Sequence, residues 1–322
     1  MKLSRDKNKI SNPQVTIILP TYNRAQYLER AIKSVIDQTF MNWELIIWDD
    51  GSTDDTKAIV TSYPDKRIRY YSDQNHGVAF ARNRASEKAS SKFIAFLDSD
   101  DQWFPNKLSI QMTAMQENPD LDFLFTNFMN VNIQKKTEDI EFKQYSSVMD
   151  SLGIEERYNG IKIVKDRFLE CLAKVNFIAT DTVLLKRELL EKIGGFNETL
   201  RNSEDFELWW RTGLSGAQIG FLDDKLLIRN KPPESLSGPG LVAAQNTIKA
   251  LDLCVERAFA AEREDLVPLL NANYRNAWQH LIIEHGTSLE QLKAINAFFQ
   301  STKYGFRPGS LKLLFKVLLG VS

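Results

Sequence analysis

Apolar and polar positions follow two alternating rhythms along the first hundred residues. "VTIILP" (15–20) is an unbroken apolar, β-branched run, as expected of a strand buried on both faces. "AQYLERAIKSVIDQ" follows, with Leu28, Ile32, Val35 and Ile36 at helical spacing. The pair then repeats. "WELIIWDD" reads as a second buried strand and "STDDTKAIVTSY" as a helix, with Ser52 or Thr53 expected at its N-cap and acidic residues in its first turn. "RIRYYSD" and "GVAFARNRASEKA" supply a third strand and helix, and "KFIAFLD" a fourth strand. Strands and helices alternating through short links predict an α/β fold: a mostly parallel sheet flanked by helices on both faces.

Later segments extend this plan. "NKLSIQMTAMQEN" reads as a helix and "LDFLFTNFMNVN" as a strand at the sheet edge, followed by a polar segment from Gln134 to Gly160 that is long for a loop. "NSEDFELWWR" reads as an amphipathic helix capped by Ser203, with acids easing the helix dipole and Phe206, Leu208, Trp209 and Trp210 in the core. From Ser235 the pattern is helical to the last residue, without repeats or low-complexity tracts.

Composition narrows the class. With 322 residues the chain can form one large domain or two small ones. A net charge of −1, spread along the chain, gives no electrostatic case for nucleic acid. Cys171 and Cys254 lack ligand-like spacing, so reduced thiols in a cytoplasmic protein are expected. The N-terminus is polar and basic, unlike a secretory signal, and no apolar run approaches the roughly 20 residues that span a bilayer. His76, His280 and His285 are scattered and expected to be structural or exposed.

In open α/β sheets, ligands sit beyond the carboxyl ends of the strands. Here those ends read "PTYNR", "DDGSTDD", "SDQNHG" and "DSDD". Asp54 and Asp55 are accounted for as helix-start residues. Two acidic clusters converging on one sheet edge are not, because uncompensated carboxylates repel one another. A hard cation such as Mg²⁺, which takes one or two carboxylates plus substrate phosphates, accounts for them. No P-loop is present, and no G-x-G-x-x-G follows the first strand. Pro20, Thr21, Tyr22 and Asn23 instead place an aromatic ring, suited to stacking on a base, among polar groups. A nucleoside-diphosphate compound fits these features.

The stretch "TIILPTYNRAQYLERAIKSVIDQTFMNWELIIWDDGSTDDT", followed in order by "NHGVAFARN", "FIAFLDSDD" and "KIGGFNETLRNSEDFELWWR", resembles the family 2 glycosyltransferases over roughly residues 14 to 237. The resemblance implies the GT-A fold and inverting transfer from a nucleoside-diphosphate sugar, with a UDP-sugar favoured, to a saccharide or lipid-linked saccharide acceptor. It puts Pro20, Thr21 and Tyr22 around base and ribose, and Asp50 on the base. Asn75, Gly77, Arg82 and Asn83 would border the donor. Asp98, Ser99 and Asp100 match the D-x-D motif, with Asp100 and Asp98 toward Mn²⁺ or Mg²⁺ and Asp98 also toward the ribose or sugar. Asp205 matches the catalytic base, with Glu204 helping to hold the acceptor. Many relatives carry Arg-x-His after the next strand. Here Arg229 is kept and Lys231 stands at the His position, where a lysine can pair with phosphate.

The expected organisation is a tail (1–13), a nucleotide-sugar-binding half (14–105), an acceptor-binding half (106–237) and a helical C-terminal region (238–322), with the 134–160 segment mobile or facing the acceptor. "SLKLLFKVLLGVS" carries an apolar stripe with Lys312 and Lys316 on another face. It reads either as a final docked helix or as a helix making weak contact with the inner membrane surface. A catalytically silent nucleotide-sugar binder of the same fold is the alternative function. A nucleotidyltransferase fits less well, because no basic, glycine-rich triphosphate loop follows the first strand.

Overall fold

The computed structural model describes residues 12–132, 137–230, 240–287 and 291–305, together with 311 and 314. The first rhythm becomes β1 (Val15–Thr21), α1 (Ala25–Ile36), β2 (Trp43–Asp49), α2 (Thr56–Thr61), β3 (Ile68–Ser72), α3 (Val78–Glu87) and β4 (Phe93–Phe96). Next come β5 (Gln102–Trp103), α4 (Lys107–Glu117), β6 (Phe123–Asn132), β7 (Thr137–Ile140), α5 (Glu141–Gln144), α6 (Ser146–Met149), β8 (Gly153–Glu156) and β9 (Lys162–Asp166). The chain continues through α7 (Phe168–Leu172), β10 (Leu184–Lys186), α8 (Arg187–Ile193), α9 (Glu204–Leu214) and β11 (Ile219–Asn230). It then runs through α10 (Leu241–Ala260), α11 (Asn271–Thr287) and α12 (Gln291–Thr302).

One sheet runs in the order β3-β2-β1-β4-β10-β6-β11-β9-β8, with β5 on β11 and β7 on β6. Strands β1 to β4 pair in parallel. β10 alone reverses between β4 and β6, so β6 and β11 point the same way as the first four. Successive side chains feed opposite cores, as the strand period of two requires. Ile18, Ile46 and Phe96 pack with α3, α8, α9 and α10, while Ile17, Leu19, Leu45 and Ile47 pack with α1, α2 and α4. Both cores draw on residues from each side of position 105.

Three local expectations are corrected. β6 lies inside the sheet and not at its edge. Its sequence is apolar on both faces, with Phe123 and Phe125 in one core and Leu124 and Phe128 in the other, where an edge strand shows one polar side. The polar stretch after β6 folds, in its described part, into β7, α5, α6, β8 and a turn, because Phe142, Met149 and Leu152 are buried beneath it. Neither predicted side-chain cap forms, although Ser203 does stand at the N-cap position of α9. Thr56 starts α2 by donating its N–H (3.1 Å) and hydroxyl (2.6 Å) to Asp54, which also accepts the Ala25 N–H at the start of α1. The Ser203 hydroxyl turns away to Asn202 and Thr247.

α10 seats on the face of the sheet covered by α3, α8 and α9. The Trp210 indole N–H donates to the Cys254 carbonyl of α10 at 3.0 Å, and the Arg201 N–H to Asn246 of α10 at 2.8 Å. Trp209 and Trp210 are fully buried, and truncating such a tryptophan costs ~3–5 kcal/mol. Most of the terminal stretch 310–322 lies outside the described residues. Within it, Leu314 is buried against Ala244, Leu281, Ile282 and Phe298, the contact expected of a docked helix. Among the described residues no helix is long and apolar enough to cross a membrane.

Candidate active site

The parallel register sets Thr21 beside Asp49 and brings the carboxyl ends of β1, β2 and β4 together. Asn23, in the left-handed region at φ 50°, joins the first two loops: its N–H donates to Ser52 Oγ (2.9 Å) and its Oδ1 accepts the Thr53 N–H (2.8 Å). The neighbouring acids then divide their work. Asp49 accepts from the Ser52 N–H (2.7 Å) and the Tyr70 hydroxyl (2.6 Å), which fixes the loop. Asp50 accepts the N–H groups of His76 (2.9 Å) and Gly77 (2.8 Å), folding the turn before α3 onto its carboxylate. Gly77 sits at φ 97°, and a β-carbon there would stand 2.2 Å from Arg201 Nη1. Backbone and guanidinium both call for glycine.

Arg82, 3% exposed, links three elements. Its two terminal nitrogens donate to Glu204 Oε1 at the start of α9 and to Asp98 Oδ1 after β4, each at 2.7 Å. Burial works against this guanidinium's charge, and Asp98 and Glu204 more than offset it, so it stays protonated. Beneath Asp98 lies a second layer. The Asp98 N–H donates to Asp181 at 2.9 Å, and the Asn230 N–H to Asp101 at 2.8 Å. Asp101 and Asp181 are buried against each other, and both carboxyls are pushed upward, first by burial and then by neighbouring acids. Lys107, also fully buried, donates to Gln111 (2.5 Å) and lies 4.2 Å from the Trp103 ring centre. Burial lowers its pKa from 10.5 to about 7.

Asp100 is held by its main chain, whose carbonyl accepts from Asn230 Nδ2 (2.7 Å) and Arg30 (3.2 Å). Its carboxyl is raised by burial and the Asp98 charge, with Arg24 and Arg229 pulling it back. At the start of α9, Asp205 accepts from the Phe206 N–H (2.7 Å) and from Asn176 Nδ2 (3.1 Å). Burial raises its carboxyl, and Arg82 and Arg229 counteract in part. Glu204 is raised for the same leading reason, with Arg82 opposing.

These elements enclose one cavity of about 1260 Å³. Of the predicted set, Pro20, Thr21, Tyr22, Asn23, Asp50, Asn75 and Gly77 line it, together with Arg82, Asp98, Ser99, Asp100, Arg229, Glu204 and Asp205. Tyr22 is 47% exposed, leaving its ring available on the lip. Asn83 stands apart, clamping the Phe196 main chain through both its amide nitrogen and its oxygen (2.8 Å each), because one helical step from Arg82 turns it toward the loop after α8. Lys231 and the His285 side chain lie outside the described residues. Among the described residues, no three His, Cys, Asp or Glu side chains gather closely enough to hold a metal by themselves. Asp100 with the second oxygen of Asp98 is a donor set suited to Mg²⁺ or Mn²⁺ only when substrate phosphates supply further ligands.

Sequence reading missed Asp181, Lys107, Asn176 and Arg201, all in or under this site. Asp181 carried a signal, being a lone carboxylate between the apolar runs 177–179 and 183–185. It also missed the contribution of α10 and α11, which line the cavity with Thr247, Asn273, Asn276 and His280.

Residues 16–194 match the sequence profile described as Glycosyl transferase family 2. The chain belongs to that family. This transferase is 33% identical over 216 residues to the Escherichia coli UDP-Glc:alpha-D-GlcNAc-diphosphoundecaprenol beta-1,3-glucosyltransferase WfgD, a match covering 66% of this chain and 76% of that one. It is 42% identical over 221 residues to an uncharacterised glycosyltransferase of Rickettsia felis, across 68% of this chain but 33% of that longer protein. Staphylococcus aureus TarS 1–349, solved with UDP-GlcNAc, aligns with a TM-score of 0.65 at 18% identity over 96% of this chain and 92% of that one. The architecture of the transferase is accordingly GT-A.

Proposed function

We propose that this glycosyltransferase moves a sugar from a nucleoside-diphosphate sugar, with UDP the favoured nucleotide, to a saccharide or lipid-linked saccharide hydroxyl, inverting the anomeric carbon. The observation that carries this reading is convergence: Tyr22 and Asp50, the Asp98–Asp100 acids and Asp205 come from four elements and line one cavity. The base stacks on Tyr22 beside the Asp50 turn. The diphosphate lies near Asp100, where Arg24 and Arg229 supply positive charge. Asp100, with Asp98, would hold Mn²⁺ or Mg²⁺ together with the donor phosphates, and such an ion would supply charge stabilisation for the diphosphate. Asp205 takes the acceptor proton as the acceptor oxygen bonds to the anomeric carbon and the sugar–phosphate bond breaks to release the nucleoside diphosphate. Its elevated proton affinity makes it a stronger base than an exposed aspartate, and Asn176 and the Phe206 N–H fix its direction.

Similarity to WfgD, whose name gives a UDP-sugar donor and a lipid-linked diphosphate acceptor, supports the UDP preference, and similarity to proteins named for teichuronic acid and colanic acid biosynthesis supports a place in surface polysaccharide or glycoconjugate synthesis. The test is product stereochemistry. Incubation with α-linked UDP-sugars and Mn²⁺ should give β-linked product, read from the anomeric proton coupling by NMR. An α-linked product would rule out direct displacement assisted by Asp205.

A further inference from the structure

The cavity does not end at Asp205. Asn176, which donates to Asp205 at 3.1 Å, belongs to the same loop as Ala173, whose carbonyl accepts from Asn273 Nδ2 of α11 at 2.8 Å. From Asn273 the cavity wall follows one face of α11, through Asn276, Ala277 and His280. These positions fall at i, i+3, i+4 and i+7, so they form one continuous stripe. At 1.5 Å per residue the stripe is roughly 10 Å long, more than one sugar ring needs. Ala243, Ala244 and Thr247 of α10, which packs against α11 through Ala244, Leu281 and Ile282, add small side chains to the same lining.

The chemistry of the stripe is selective. Asn276 and His280 are exposed, so amide and imidazole groups face the cavity. The stripe itself carries no formal cation or carboxylate, since Arg275 turns to the Tyr304 carbonyl at 2.9 Å, and Lys174 stands beside it on the loop that Asn273 meets. Neutral groups that both donate and accept suit sugar hydroxyls, whereas a phosphate would call for guanidinium or ammonium groups. The residues proposed to bind the donor come from other elements, Tyr22 from the loop after β1, Asp50 from the loop after β2 and Gly77 from the turn before α3.

We propose that the α11 stripe is an acceptor subsite, in which Asn276 and His280 bind the sugar residue next to the one that receives the transferred group. The transferase is thereby an elongating enzyme, selective for an oligosaccharide end over a monosaccharide. This inference rests on the donor–base reading given under Proposed function, and it assigns the C-terminal helices a part in substrate choice.

The test compares wild type with Asn276→Ala, His280→Ala and the double variant, whose exposed positions leave the fold intact. Three readouts are taken with Mn²⁺: calorimetric affinity for UDP, slow hydrolysis of UDP-glucose without acceptor, and transfer to a panel of 4-nitrophenyl monosaccharides and matching disaccharides. UDP affinity and hydrolysis should stay within about twofold of wild type. For the best disaccharide, KM should rise by at least ~10-fold in the double variant with kcat nearly constant, the pattern of lost uniform binding. Transfer to the matching monosaccharide should be unaffected. The subsite is overturned if disaccharide KM does not change, if both acceptors lose equally, or if no disaccharide outperforms its monosaccharide in the wild type. A wild-type chain that fails to bind UDP at all would instead overturn the donor reading, and this proposal with it.

Discussion

Arg82 commits its two terminal nitrogens to carboxylates from different elements, Asp98 and Glu204, at 2.7 Å each. The pairing decides which acids of the cleft remain available. Asp98 and Glu204 are bound to Arg82, whereas Asp100 and Asp205, both raised by burial, feel Arg229 together with Arg24 or Arg82 as nearby positive charge. A carboxylate that meets a cation only when the donor arrives should reveal itself by metal-dependent binding. We expect Asp100→Ala to weaken UDP binding ~10-fold or more with Mn²⁺ present, and far less without it, since each phosphate–metal link lost costs about a charge-assisted hydrogen bond. Calorimetric titration in both conditions checks this, and equal losses would show that Asp100 does not act through a metal. Asp100 was legible in the sequence because three acids follow an apolar strand. The role of Asn83 was not, since one position along a helix turns a side chain by about 100° and a motif does not record facing.

At the level of elements, apolar periodicity located the strands and helices well. It erred where tertiary contacts choose the outcome. β6 was displaced inward because its neighbour in space, β10, comes some sixty residues later in the chain. The start of α2 falls to Asp54 because that side chain also serves α1. The least legible feature is Lys107 in the first turn of α4, where a lysine ordinarily signals solvent. Here the helix lies on the layer of Asp101 and Asp181 that supports the D-x-D loop, and the amine is enclosed. Its pKa falls to about 7 when folded, against 10.5 when unfolded. Between those values the unfolded chain holds more protons, so the lysine's contribution to stability rises with pH through that window and is lost as pH falls through about 7. Urea unfolding of wild type and Lys107→Met should therefore show wild type gaining on the variant from pH 6.5 to 9.5, by no more than ~5 kcal/mol in total. Parallel stability curves would mean that the buried amine does not titrate there.

For the whole molecule, the loops at the strand ends of one sheet bring Tyr22, Asp50 and the Asp98–Asp100 acids into one cavity, and α10 and α11 add to its lining. The first part could be read from sequence because strand ends in an α/β sheet converge by topology, so motifs far apart in the chain were bound to meet. The second could not: "AAQNT" and "NANYRNAWQH" are ordinary amphipathic segments until α10 is seen seated against Trp210 and Arg201. The proposed chemistry depends most on Asp205, the carboxylate assigned as base and held by Asn176 and the Phe206 N–H. Asparagine keeps its shape and still accepts the Phe206 N–H, but it cannot take a proton. The most direct measurement pairs transfer kinetics with UDP calorimetry on Asp205→Asn. The account predicts UDP affinity within about twofold of wild type and kcat lower by ~10²–10⁴. Turnover near the wild-type rate, with UDP still bound, would contradict it.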